Sequence, residues 1–240
     1  MEHEPLPDLH SQSALPIYLQ ISESLTREIA SGRYPDGSRL PPERSLAKVY
    51  GTTVRTLRKA LAELEKNHML DRVQGSGNYV RRIAEVKSIY SMFRLELPDG
   101  GGLPTAEVLG VSFGDKPANL PEFGVSKQAS MIRRLRFLDD VVIGVEEIWL
   151  DAGAGRIDAS KVSDSLYHYY QQKLGFWISR AEDVVWTSIA PEWAPERFGV
   201  KPGNPTGYIE RFSWAQRLEP VEFSRTWFDP AKSRYVQRLK

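Results

Sequence analysis

The chain has 240 residues, of which 41% are hydrophobic and 26% charged, with a formal net charge of +1 and no cysteine. This is ordinary globular usage, so collagen-like and disulfide-rich scaffolds and extensive disorder are excluded, as are thiolate zinc sites. No apolar run approaches the ~18 residues that span a bilayer, and the length allows two modest domains. The opening MEHEPLPDLHSQS has no basic stretch followed by an apolar one, so the expectation is a cytoplasmic protein with no leader and no membrane contact. His3, His10, His68 and His168 are scattered without ligand spacing, so neither a metal nor a cofactor is expected.

In chain order, PIYLQISESLTREIAS (16–31) sets Tyr18, Ile21, Leu25 and Ile29 at steps of three and four, the stripe of an amphipathic helix stopped by Gly32. The turn-forming run YPDGSRLPP leads to a short second helix through Leu46, Ala47 and Tyr50, closed by Gly51. Thr53 is placed to cap a third helix whose buried stripe is Leu57, Ala60, Leu61 and Leu64; Arg55 and Lys59 point away from that stripe and Arg58 lies on its flank. Two β-like runs, Leu70–Gln74 and Asn78–Arg82, follow around Gly75-Ser76-Gly77, whose glycines permit a tight turn. Three helices and a two-stranded wing are therefore expected over residues 1–80, with a linker at 81–87. From 88 to 240, strands are predicted at Thr105–Phe113, Ser130–Leu138, Val141–Leu150, Trp177–Ile189, Thr206–Gln216 and Val221–Phe228. Turns are expected at Asp139-Asp140 and Arg217–Pro220, and helices at Asp164–Leu174 and about Glu192–Phe198. The class is α+β with an antiparallel sheet in the second domain.

The net charge conceals a local bias. From Arg39 to Arg82 there are ten Lys/Arg against four Asp/Glu, whereas from Ile83 onward there are twenty against twenty-one. A short helix, a turn and a second helix with exposed cations near its start is how a helix-turn-helix presents a recognition helix to the major groove. Arginine suits the O6 and N7 of guanine, threonine a thymine methyl or a phosphate, and a helix N-terminus a phosphate oxygen. The competing reading is a solvated helix face, with Arg55, Arg58 and Lys59 paired to Glu63 and Glu65.

The segment LPPERSLAKVYGTTVRTLRKALAELEKNHMLDRVQGSGNYV resembles the winged helix of the GntR superfamily of bacterial transcription regulators, the likeness running from Pro16 to Val80. It includes the Leu40–Arg44 approach to the second helix, the Thr56–Leu61 run in the third, and the glycine-tipped Gly75–Val80 wing. The resemblance implies that Arg44, Arg55, Thr56, Arg58 and Gly75 lie at the DNA, beside Thr53 and Lys59 on the same helix. The chain departs from the family pattern at Val54, where arginine is frequent, at His68, where glycine is frequent, and at Pro42, which replaces a small capping residue.

In the second half, IRRLRFLDDVVIGVEEIWL, DSLYHYYQQKLG and EPVEFSRTWFDPAKSRY resemble the UTRA effector-binding domain of HutC-type regulators, whose fold is chorismate-lyase-like. A fused aminotransferase would need several hundred further residues, and the all-helical effector domain would show helical periodicity. Arg134 and Arg136 are two apart and so project from one face of a strand, with Glu146 on the returning arm. Arginine forks suit carboxylate or phosphate. By resemblance, Arg134, Arg136, Glu146, Ser165 and Glu222 surround a small effector, while Phe93 and Phe228 close the pocket, the latter where the family often has tyrosine. The competing reading is a salt-bridged outer sheet face. Trp149, Trp186, Trp214 and Trp227 are expected in core and dimer contacts. The function implied is an effector-responsive, homodimeric transcription repressor, released from double-stranded operator DNA by a small anionic metabolite. The alternative is an enzyme of chorismate-lyase-like fold acting on a small carboxylated substrate. With no nucleophile–histidine pair, metal cluster or phosphate loop in the sequence, the expectation is that it is not an enzyme.

Overall fold

The computed structural model describes residues 16–81, 92–162 and 165–238. Most of the linker expected at 81–87 lies outside those residues, as does Asp164 at the expected start of a helix. The N-terminal unit is three helices, α1 (Ile17–Ala30), α2 (Glu43–Val49) and α3 (Val54–Lys66), and a hairpin of β1 (Leu70–Val73) and β2 (Gly77–Val80). The stripe residues meet as expected: Ile21, Leu25 and Ile29 of α1 and Leu57, Ala60, Leu61 and Leu64 of α3 form one buried cluster with Leu46 and Val80. Thr53 caps α3, its Oγ1 accepting from the Thr56 amide at 3.2 Å. Pro42 begins α2 without a side-chain cap. His68 has φ of 58°, the left-handed conformation that favours glycine just past a helix.

The second unit is a six-stranded antiparallel sheet in the order β4-β5-β6-β9-β8-β7. Its strands are β4 (Pro104–Asp115), β5 (Gln128–Leu138), β6 (Val141–Asp151), β7 (Arg180–Ile189), β8 (Pro205–Trp214) and β9 (Glu222–Phe228). The β5–β6 turn is Asp139-Asp140, both with positive φ, as a two-residue hairpin requires. Two short strands that the sequence did not suggest, β3 (Leu95–Glu96) and β10 (Arg234–Tyr235), pair with each other. One sheet face carries α4 (Leu166–Tyr169) and the π-helical turn Tyr170–Leu174, ended by left-handed Gly175; the other carries Trp193 and Phe198.

Two expected elements are shorter by three residues or more. The strand expected from Trp177 starts at Arg180, because the chain must first climb from the helical layer, where Phe176 stacks on Tyr170 at 5.0 Å, to the sheet edge. The helix expected at Glu192–Phe198 is one 3₁₀ turn, Glu196–Phe198, since Pro195 can only begin a helix and Gly199 ends it at φ 83°. Among the described residues, no helix is long and apolar enough to cross a membrane.

α1 packs on the second unit through a charged seam. Arg27, only 2% exposed, donates to the carbonyls of Leu95 at 3.2 Å and Gly102 at 2.7 Å. Arg238 forms a fork with Glu96 at 2.7 and 2.9 Å and reaches Ser31 Oγ at 3.4 Å.

Candidate functional site

The N-terminal unit holds an open groove of about 780 Å³ between α2, the start of α3 and the wing. Arg39, Arg44, Arg58 and Arg72 line it, together with Gly75 at the wing tip and the single carboxylate of Glu43. Arg58 Nε donates to Glu43 Oε2 at 2.7 Å and Arg72 Nη2 to Oε1 at 3.5 Å, so one carboxylate aims cations from a helix and from the wing. Four guanidiniums against one carboxylate make the groove attractive to a polyanion. A β-carbon at Gly75, where φ is 76°, would meet nothing, which leaves the tip open to an approaching surface.

The other DNA candidates lie beside this groove. Arg55 is exposed, and Thr56 shares a 3.0 Å hydroxyl contact with Thr53, whose oxygen is already committed to the helix cap. Lys59 turns back toward α1, its ammonium 5.9 Å from the Tyr18 ring centroid. Val54, in place of a frequent arginine, packs against the core cluster and lines the groove wall. Sequence reading missed Arg39 and Arg72. Arg39 is brought in by its bridge to Tyr79 of the wing, and Arg72 sits on a strand too short to show periodicity.

The second site is much smaller. Six of the seven effector candidates, Phe93, Arg134, Arg136, Glu146, Ser165 and Glu222, line one small cavity, about 50 Å³ in volume, between the sheet and α4. Strand register explains the convergence. Arg134 pairs with Glu146, Ile148 with Ser224, and Ser224 with Arg211, and alternation puts Arg136 and Glu222 on the same face. Arg134 and Arg136 are 6% and 5% exposed, which excludes the solvated outer face. Phe228 does not line the cavity: its ring lies over Gly207 of the neighbouring strand, where a β-carbon would collide with it, in the cluster of Leu95, Ile143 and Ile209. Of the tryptophans, Trp227 is buried as expected, whereas Trp186 is exposed on the outer strand.

The charges in this cavity are unequal in character. Arg134 grips Glu146 Oε2 through Nη2 at 2.6 Å and Nε at 3.1 Å, while Arg136 stands 3.8 Å from the same oxygen. Burial pushes the Glu146 carboxyl up, but Arg134 and Arg136 outweigh it and hold the group below the ordinary carboxylate range. Glu222 goes the other way. Burial raises its pKa, and hydrogen bonds from Tyr170 at 2.6 Å and Ser213 at 2.9 Å offset only part of that.

Arg211 and Tyr167 also line the cavity, and neither was singled out from the sequence. Arg211 forms a fork with Asp183 at 2.5 and 2.7 Å and donates to the Met92 carbonyl at 2.6 Å. Its place depends on β8 lying beside β9, a non-local pairing that no spacing within β8 reveals. An anion with hydroxyl groups fits this lining: guanidinium for the charge, carboxylates and phenol for the hydroxyls.

Comparison with known proteins assigns a family model to each of the two units. Residues 17–80 match the gntR family of bacterial regulatory proteins, and residues 101–234 match the UTRA domain. The HTH-type transcriptional regulator SmoD of Agrobacterium fabrum is 50% identical over 96% of this chain and 99% of its own length. The HTH-type transcriptional repressor NagR of Bacillus subtilis is 26% identical over 95% of this chain and 93% of its own. Among solved structures, YydK of Bacillus subtilis superposes with a TM-score of 0.52 at 20% identity, over 94% of this chain and all of the other, a likeness of fold. The relatives are named as regulators, which leaves the lyase alternative without support. The chain therefore belongs to the GntR family of bacterial regulatory proteins, a DNA-binding transcription regulator that joins a winged helix-turn-helix to a UTRA effector domain.

Proposed function

We propose that this regulator is a homodimeric, HutC-type repressor acting in the cytoplasm, and that a small anionic metabolite releases it from its operator. Residues 1–80 bind DNA, residues 81–87 link, and residues 88–240 bind effector and dimerise. The observation that carries the reading is the presence of two separate arginine sites of opposite character: an open groove on the winged helix and a buried cavity in the sheet domain. In the first, Arg44, Arg55, Thr56, Arg58 and Gly75 meet the duplex, with Arg39 and Arg72 on its phosphates. In the second, Arg136 takes the anionic group, while Glu146, Glu222, Ser165 and Tyr167 address hydroxyls. One relative, the mannosyl-D-glycerate transport/metabolism system repressor MngR of Escherichia coli, is named for a sugar that carries a carboxylate, in keeping with such a ligand.

A winged helix alone buries little DNA surface, so tight binding calls for two copies on related half-sites. β7 supports this: it is an edge strand of the sheet and exposes Val184, Val185, Trp186 and Ile189. Apolar edges of this kind are covered in working proteins. The test is a thermal-shift screen of organic acids and sugar phosphates, followed by titration of the hit against the operator complex. Operator release by the hit in the native protein and its loss in Arg136→Ala is the expected result; release that survives the substitution counts against the assignment.

A further inference from the structure

The effector cavity is too small for an effector. Its volume is about 50 Å³, whereas pockets that hold a metabolite start near ~300 Å³. A ligand of more than a few atoms that lies within this lining displaces part of the wall. Most of that wall is fixed: β5, β6, β8 and β9 are each paired on both sides, and Ser165 to Tyr167 form the first turn of α4. Apart from Ser165, which is held as the N-cap of α4, Phe93 is the lining residue outside the strands and helices, and it is half-buried. It is the part of the wall with least to lose by moving.

What Phe93 touches gives that movement a consequence. The Arg136 guanidinium lies 4.8 Å from its ring centroid, and the Arg27 guanidinium lies 5.5 Å from the same centroid. Arg136 belongs to the cavity, but Arg27 belongs to α1 of the winged helix and is buried against the Leu95–Gly102 segment. One ring therefore serves a cation of each domain. A buried guanidinium that loses the ring covering it is left with fewer favourable contacts while still out of water.

We propose that Phe93 couples the effector cavity to the DNA-binding domain: filling the cavity displaces the ring, uncovers Arg27 and loosens α1 from the sheet domain. The inference rests on the cavity being the effector site. Coupling of this kind is reciprocal, so loosening Arg27 must also be felt in the cavity. The second seam contact, Arg238 with Glu96, does not border the cavity and provides a control.

Amide hydrogen exchange on the full chain, without DNA or ligand, tests this. Phe93→Ala should raise exchange across Arg27–Ala30 and residues 95–102 at least tenfold. Ile148→Phe, which adds bulk inside the cavity as a ligand would, should do the same and add nothing further in the Phe93→Ala background. Arg27→Met should raise exchange at residues 134–136, and Arg238→Gln should not. Faster exchange confined to the cavity strands in Phe93→Ala, or α1 unchanged in Ile148→Phe, overturns the proposal, as does a cavity indifferent to Arg27→Met. An effector that proves to bind outside the cavity would leave these exchange results standing, and absent coupling would leave the cavity's assignment as the effector site intact.

Discussion

At the scale of single residues, the two sites use charge in opposite ways. Arg58 is exposed and steered by Glu43, so its loss should be felt by DNA and not by the fold. Arg55→Ala and Arg58→Ala are each expected to weaken operator binding by ~1–3 kcal/mol and relax preference at one base pair, with circular dichroism unchanged. Anisotropy titrations at fixed salt check this; undiminished binding by both variants would remove α3 from the DNA interface. Glu222 is the buried counterpart. Its folded pKa is raised chiefly by burial, so the folded state holds its proton to higher pH than the unfolded chain does. Its contribution is therefore favourable below the unfolded value of ~4.5 and is lost as pH rises through the folded value. Glu222→Gln should melt increasingly above the native protein as pH is raised from 4 to 8. A melting difference that is flat or shrinks across that range would contradict the assigned direction.

At the scale of elements, the exposed face of β7 makes a specific claim. Val184 and Trp186 alternate onto one face of this edge strand, so Val184→Lys and Trp186→Lys together should turn a dimer into a monomer. Light scattering reports the mass, and operator affinity should fall about 100-fold as linked binding of two half-sites is lost. A variant that stays dimeric would move the contact elsewhere. The long, strongly patterned elements were legible in the sequence: α1 and α3 from three-and-four spacing, β5 and β6 from alternation around Asp139-Asp140. The short ones were not. β3 and β10 have two residues each and exist through their mutual pairing, and the expected helix at Glu192–Phe198 yielded to Pro195. The sites divide in the same way. Arg134, Arg136 and Glu146 share a hairpin and could be read together, whereas Arg211 and Tyr167 arrive through strand order and helix packing. The ring of Phe228 lies over Gly207, a neighbour that alternation along β9 alone does not reveal.

At the scale of the molecule, α1 and the sheet domain meet through the charged side chains of Arg27, Arg33, Glu96 and Arg238. Burial pushes the Glu96 carboxyl up, but the fork from Arg238 outweighs it and the group ends below the ordinary range. Such a seam is modest in strength and can be undone, which suits a regulator whose domains must change their relation. Glu96→Gln should weaken it by about 1 kcal/mol, so that calorimetry separates the melting of the winged helix from that of the sheet domain. A single unchanged transition would show that the seam contributes nothing to cooperativity. The cavity itself has a different prospect. Most of its polar lining consists of alternate side chains on strands whose backbones are fully paired, so residues such as Ile148 and Ser224 can be exchanged without redrawing the chain's path. Responsiveness is thus written in interchangeable letters on a fixed page, while the operator-reading surface stands apart. A sensor for a different metabolite can be built by rewriting those letters and leaving the promoter as it is.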